Sequence, residues 1–161
     1  MVGDDERSVM TGSPDQGELE LLLAKARIDE LLVSYATALD NRDWALLEQC
    51  FVEDAQVTYL GRSPLEGRQA VIDYCRTALS RFELTQHLVG NHAVELGDQS
   101  AEATSYVRAE HILHRDGERC RWSLGGRYED RLVRTGQGWR IAERALIHLW
   151  DETTCTPIDP A

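Results

Sequence analysis

Apolar residues recur at three- and four-residue steps from Glu18 to about Asp40, where Leu21, Ile28, Leu31, Leu32, Tyr35 and Leu39 would share one helical stripe. Asn41-Arg42-Asp43 interrupts the stripe, and Asp43 is placed to cap a second short helix carrying Trp44, Leu47 and Phe51. Ala55–Leu60 reads as a short strand closed by Gly61 and Pro64. Gly67–Ser80 returns to helix, with Ala70, Val71, Tyr74, Cys75 and Ala78 on one side. After Ser80 the pattern turns to strands: Leu84–Leu96, Ala101–His114, Arg119–Thr135 and Gly138–Trp150. Gly97-Asp98, Asp116-Gly117 and Gly136-Gln137-Gly138 separate them at hairpin spacing. Helices followed by long antiparallel strands predict an α+β domain. The sheet must curl to cover three helices, and its concave side becomes the natural pocket.

A chain of 161 residues fits one domain. Its polar N-terminal segment, residues 1–17, is expected to be a disordered acidic tail ahead of a domain spanning 18–161. The net charge of −11 argues against nucleic acid and against an anionic membrane surface as partners, since no basic excess exists to meet phosphates. No apolar run approaches the ~20 residues of a bilayer span. The segment MVGDDERSVMTGSPDQ lacks the basic and apolar regions of a secretory signal. Cys50, Cys75, Cys120 and Cys155 form no C-x-x-C pair, so reduced thiols in a cytoplasmic setting are expected. Of the 17 basic residues only Lys25 is a lysine. No metal site is expected: His111 and His114, like His87 and His92, lie at odd spacings that put them on opposite sides of a strand. Phosphate-loop, dinucleotide-binding and serine-elbow motifs are absent from the sequence.

What remains is a set of polar residues in unusual places. Tyr35 lies on the apolar stripe of the first helix. Asp40 ends that helix, where the dipole disfavours a carboxylate; read alone, it opens the turn with Asn41. His87 heads a strand, and read alone it is a core or surface histidine. Ala101, Ala103, Ser105, Val107, Ala109, His111 and Leu113 share one face of mostly small side chains, suited to line a cavity with His111 as its imidazole. Glu102, Thr104, Tyr106, Arg108, Glu110 and Ile112 form the opposite, solvent or interfacial face. Trp122, Tyr128, Trp139 and Trp150 are expected in the core or the pocket wall. Arg144, read alone, is a surface residue.

Taken together, Tyr35-x4-Asp40 with Arg42-Asp43-Trp44, Phe51-x2-Asp54-Ala55, the Gly67 helix, Thr85-x-His87-x3-Asn91, the Ala101–His111 strand, Gly126-x-Tyr128-x-Asp130 and Gly138-Trp139-Arg140-Ile141 resemble the SnoaL-like branch of the nuclear-transport-factor-2-like superfamily. The resemblance covers roughly Leu21 to Trp150. It implies a cone-shaped, strongly curved antiparallel sheet wrapped around N-terminal helices, with an internal apolar pocket. It further implies a catalytic His87 that takes a proton, Asp40 that orients it, and Tyr35 that polarises the substrate. His111 and Arg144 match pocket positions in some members, and Tyr59 and Trp122 join them as expected substrate contacts. The chemistry so implied is that of a cofactor-independent lyase, a dehydratase of a cyclic or polycyclic hydroxy-ketone. The alternatives are an isomerase or cyclase using the same dyad, or a non-catalytic ligand-binding or assembly subunit. The expected partners are a small apolar substrate and further copies of the chain, with a homotrimer ahead of a dimer.

Overall fold

The computed structural model describes residues 16–157. Helix α1 (Gln16–Asn41) buries Ile28, Leu31, Leu32, Tyr35, Ala36, Ala38 and Leu39, the stripe that periodicity marks. Its first turns do not join the core: Leu21 is exposed, as are Leu19, Leu22 and Leu23. The helix begins two residues inside the segment expected as a tail, and residues 1–15 of that expectation lie outside the described residues.

Asp43 caps α2 (Trp44–Cys50), its carboxylate accepting the Leu46 N–H at 2.9 Å. Phe51, expected on that helix, instead opens strand β1 (Phe51–Tyr59) and is buried. A two-residue strand β2 (Leu65–Glu66) precedes α3 (Arg68–Leu79). Then come β3 (Leu84–Leu96), β4 (Ser100–Arg115), β5 (Glu118–Thr135) and β6 (Gly138–Pro157). The last runs seven residues beyond the expected end at Trp150.

The six strands form one open, curved sheet in the order β2-β1-β6-β5-β4-β3. β3 to β6 pair antiparallel as consecutive hairpins, but β1 lies parallel to β6, so the sheet is mixed and not wholly antiparallel. Helix residues and the inward side chains of the strands share one core. On β4 the alternation is regular: Ala101, Ala103, Ser105, Val107, Ala109 and His111 are buried, while Glu102, Thr104, Tyr106 and Arg108 are exposed.

Three local features depart from expectation. An irregularity between Gly90 and Ala93, with Asn91 at φ 53°, sets two residues of β3, Asn91 and His92, against one of β4, Ser105. It reverses the inside–outside alternation, so His87 and His92 both reach α1 and do not face opposite sides. Trp150 belongs to neither core nor pocket wall: it is exposed, its indole lying where a Cβ on Gly125 would sit, 2.2 Å away. Cys120 and Cys155 are directly opposed on β5 and β6 and form a disulfide, so the reduced-thiol expectation holds only for the buried Cys50 and Cys75. Because β6 was expected to stop at Trp150, Cys155 had no place beside Cys120 in the sequence reading. No described helix is long and apolar enough to cross a membrane.

Candidate active site

Helix α1 stops because Arg42 takes a left-handed backbone conformation, φ 57°. Its guanidinium turns back to donate to the Leu39 carbonyl at 2.5 Å and to the Thr85 hydroxyl at 2.8 Å. A longer contact, 3.4 Å, reaches the Leu79 carbonyl at the end of α3. Thr85, buried at the head of β3, donates its own hydroxyl hydrogen bond to Asp40 Oδ1 at 3.0 Å. The Asp40 carboxylate thus projects from the last turn of α1 onto β3. There Oδ2 accepts the His87 backbone N–H at 2.8 Å and Oδ1 meets His87 Nδ1 at 2.6 Å.

Burial works to raise the Asp40 carboxyl, but the hydrogen bonds from the His87 ring, the His87 backbone and Thr85 outweigh it and hold it below its ordinary range. A carboxylate can only accept, so the network puts the proton of a neutral His87 ring on Nδ1 and leaves the Nε2 lone pair free. His87 lines a cavity of about 360 Å³ between α1, α3 and the concave face of the sheet. Its walls are mainly apolar and aromatic.

Three further groups define the interior. His111 meets His87 edge to face with ring centroids 5.5 Å apart, and its Nδ1 donates to the Trp122 carbonyl at 3.3 Å. Burial, aided by the neighbouring His87, pushes the His111 imidazole down to about 4, so at neutral pH it is uncharged and presents an acceptor at Nε2. Tyr35 is 1% exposed, and its hydroxyl bonds that of Tyr59 at 2.9 Å. Burial raises both phenols well above their ordinary value, so they stay protonated and able to donate. Trp122 and Phe82 stack at 5.9 Å along the same wall.

Thus the structure brings together Asp40, His87, Tyr35, Tyr59, His111 and Trp122, and all but Asp40 line the one cavity. Arg144 is elsewhere. It is not a surface residue, and it does not line the cavity that His87 faces: its guanidinium lies 4.0 and 4.2 Å from the ring centroids of Tyr35 and Tyr128. It also pairs bidentately with Asp130 at 2.6 and 2.7 Å. Both side chains of that pair are fully buried. Asp130 is the register partner of Arg144 and shares parity with the inward Tyr128, a signal the sequence carries. Arg42, Thr85, Tyr74 and Phe82 are the parts of the site that sequence reasoning missed. Arg42 and Thr85 stood in the motifs that carry the resemblance, and Tyr74 on the apolar side of the third helix, each without an assigned role. Among the described residues, one group of metal-capable atoms lies close together, Glu118 with Cys120 and Cys155, and its sulfurs are bonded to each other.

The chain matches the SnoaL-like domain over residues 20–145. It is 29% identical over 132 residues to an uncharacterised protein of Mycobacterium tuberculosis, a match covering 81% of this chain and 85% of that one. Its fold is similar to that of a candidate scytalone dehydratase from Novosphingobium aromaticivorans, with TM-score 0.77 and 25% identity over 88% of this chain and 97% of the other. A hexachlorocyclohexane dehydrochlorinase from Novosphingobium barchaimii shares the fold at TM-score 0.73 and 17% identity, covering 89% and 95% of the two chains. With the family's domain matched over most of this chain, residues 20–145, and a curved sheet wrapping a walled cavity, this chain belongs to the SnoaL-like family.

Proposed function

We propose that the protein is a cofactor-independent lyase, a dehydratase acting on a cyclic or polycyclic hydroxy-ketone. The observation that carries this reading is the Asp40–His87 contact of 2.6 Å, with the ring's second nitrogen left to an apolar cavity. His87 Nε2 removes the proton from carbon next to the substrate carbonyl. The C–H electron pair moves onto the carbonyl oxygen as an enolate, which accepts a hydrogen bond from the Tyr35 hydroxyl. When the carbonyl re-forms, the electron pair expels the β-hydroxyl, which takes a proton from the His87 imidazolium and leaves as water. Asp40 stabilises the imidazolium between the two steps and fixes the tautomer that begins them. The low-lying His111 imidazole stays neutral and accepts from a substrate hydroxyl. Arg144 takes no part in binding on this reading; it underlies Tyr35 and Tyr128 as a buried, neutralised platform.

Incubating the protein with a panel of cyclic β-hydroxy-ketones, in parallel with His87→Ala, tests the proposal. Loss of one water from a panel member, dependent on His87, is the expected result. Relocation of a proton without loss of water would identify an isomerase that starts from the same abstraction. No turnover with any panel member, alongside tight binding of one, would favour a binding module.

We also propose a homo-oligomer, a trimer ahead of a dimer, built on the outer face of the sheet. Leu88 (64% exposed), Tyr106 (51%) and Trp150 (42%) leave that face apolar for a solvated surface. Light scattering at micromolar concentration is expected to give a multiple of the 18.2 kDa chain mass; a monomer would end the idea.

A further inference from the structure

The charged residues around the cavity run against the rest of the molecule. The chain has 28 acids and 17 basic residues, yet no Asp or Glu lines the cavity. Two arginines do, Arg62 in the turn after β1 and Arg81 just past α3, and both are exposed, which puts them at the mouth. Among the described residues neither has an ion-pair partner, while Arg108, Arg119, Arg127, Arg131 and Arg144 each have a carboxylate. Arg81 is nonetheless held in place. Its guanidinium carbon lies 4.7 Å from the Phe82 ring centroid and 5.8 Å from that of Trp122. Contact with the two rings positions the group by its carbon and leaves its N–H fork unspent. The same aromatic rings continue inward to His111, whose centroid is 4.6 Å from each. A ligand ring against this wall therefore lies between the dyad at the inner end and a guanidinium at the outer end.

An apolar ligand bearing a negative charge would be repelled by a body of net charge −11 unless cations stood at the entrance. From this arrangement we propose that the substrate is an anion as well as a ring: its apolar part fills the cavity, and an attached carboxylate or other oxyanion is met at the mouth by Arg81 and Arg62. The inference rests on reading this cavity as the substrate site, and it extends that reading by naming a charged substrate class. Arg forks match carboxylate oxygens two to two, so the contact selects for charge and for geometry. The positive field of Arg81 also reaches His111, where it adds to the forces keeping that ring neutral.

The test is direct binding, which needs no turnover. Calorimetric titrations with 2-naphthoate and with its neutral isostere 2-naphthamide are run at low ionic strength on the wild type, His87→Ala, R62Q/R81Q and R62K/R81K. The wild type and His87→Ala are both expected to prefer the acid by about tenfold or more, a preference that shrinks in high salt. R62Q/R81Q should bind the two probes equally, and R62K/R81K should keep part of the preference. Equal binding of both probes to the wild type overturns the proposal. So does binding of neither, or an acid preference that survives in R62Q/R81Q. Because His87→Ala is measured by binding alone, a failed dyad with a retained acid preference, and the reverse, are separate results.

Discussion

Helix α1 and strand β3 meet through two pairs of the same composition, Asp40 with His87 and Asp29 with His92. The surroundings differ. Asp40 is 22% exposed and accepts from three donors, the His87 ring, the His87 backbone and Thr85, whereas Asp29 is 56% exposed and meets one ring nitrogen. His87 turns its free nitrogen to a cavity; the corresponding Nε2 of His92 is buried with no partner. A carboxylate beside an imidazole is common surface chemistry. A carboxylate fixed by further donors, holding an imidazole against a mainly apolar cavity, is the rarer arrangement that proton transfer requires.

Substitutions on the two pairs separate them most sharply. On the proposed reading His87→Ala costs about 10²–10⁴-fold in turnover, while His92→Ala leaves turnover per folded molecule within about twofold. Equal losses in the two variants would erase the distinction. Asp40→Asn is expected to be nearly as severe as His87→Ala, since an amide can hold the wrong tautomer and cannot stabilise the imidazolium; Asp29→Asn should be silent in steady-state kinetics. Combining Asp40→Asn with His87→Ala should cost little more than the worse single change, because the two act as one unit. Tyr35→Phe comes next, on the order of 10²-fold in kcat, with the fold intact by circular dichroism.

The smallest expected effect is on stability against pH. Asp40 is held below its ordinary value when folded, so the chain gains stability from it above the unfolded pKa and loses that stability as pH falls through the lower, folded value. His111 acts earlier. Its folded value near 4 lies below the ordinary 6.5, so the unfolded chain takes up the proton first and stability drops as pH falls from about 6.5 toward 4. Melting curves of His111→Phe should lack part of that decline, and Asp40→Asn should alter only the more acidic limb.

The fold was legible where periodicity is long and regular: the buried stripe of α1, the alternation of β4 and the three hairpin turns all stand in the sequence. It was illegible where one residue changes parity. The extra residue between Gly90 and Ala93 moved His92 to the side of His87, and strand pattern alone places it opposite. The parallel seam of β1 with β6 and the Cys120–Cys155 pairing depend on contacts across 35 residues or more, which local pattern does not encode. Within the site, Asp40 and His87 read alone were a turn residue and a strand histidine; resemblance to the family joined them. Arg144 was misplaced because its partner, Asp130, lies one strand away, and a buried charge is recognisable only when its counter-charge is.

The left-handed conformation of Arg42 has a practical consequence for anyone engineering this protein. A non-glycine residue at φ 57° is a natural choice in a stabilisation campaign, and replacing it with glycine would relieve roughly 1–2 kcal/mol of backbone cost. Yet the same side chain ties the ends of α1 and α3 to Thr85, and through Thr85 to the carboxylate that orients His87. On the proposed reading, a screen that ranks variants by melting temperature would therefore score Arg42→Gly as tolerable while the Asp40–His87 pair lost its alignment, so library selection at this position has to read product formation and not heat resistance.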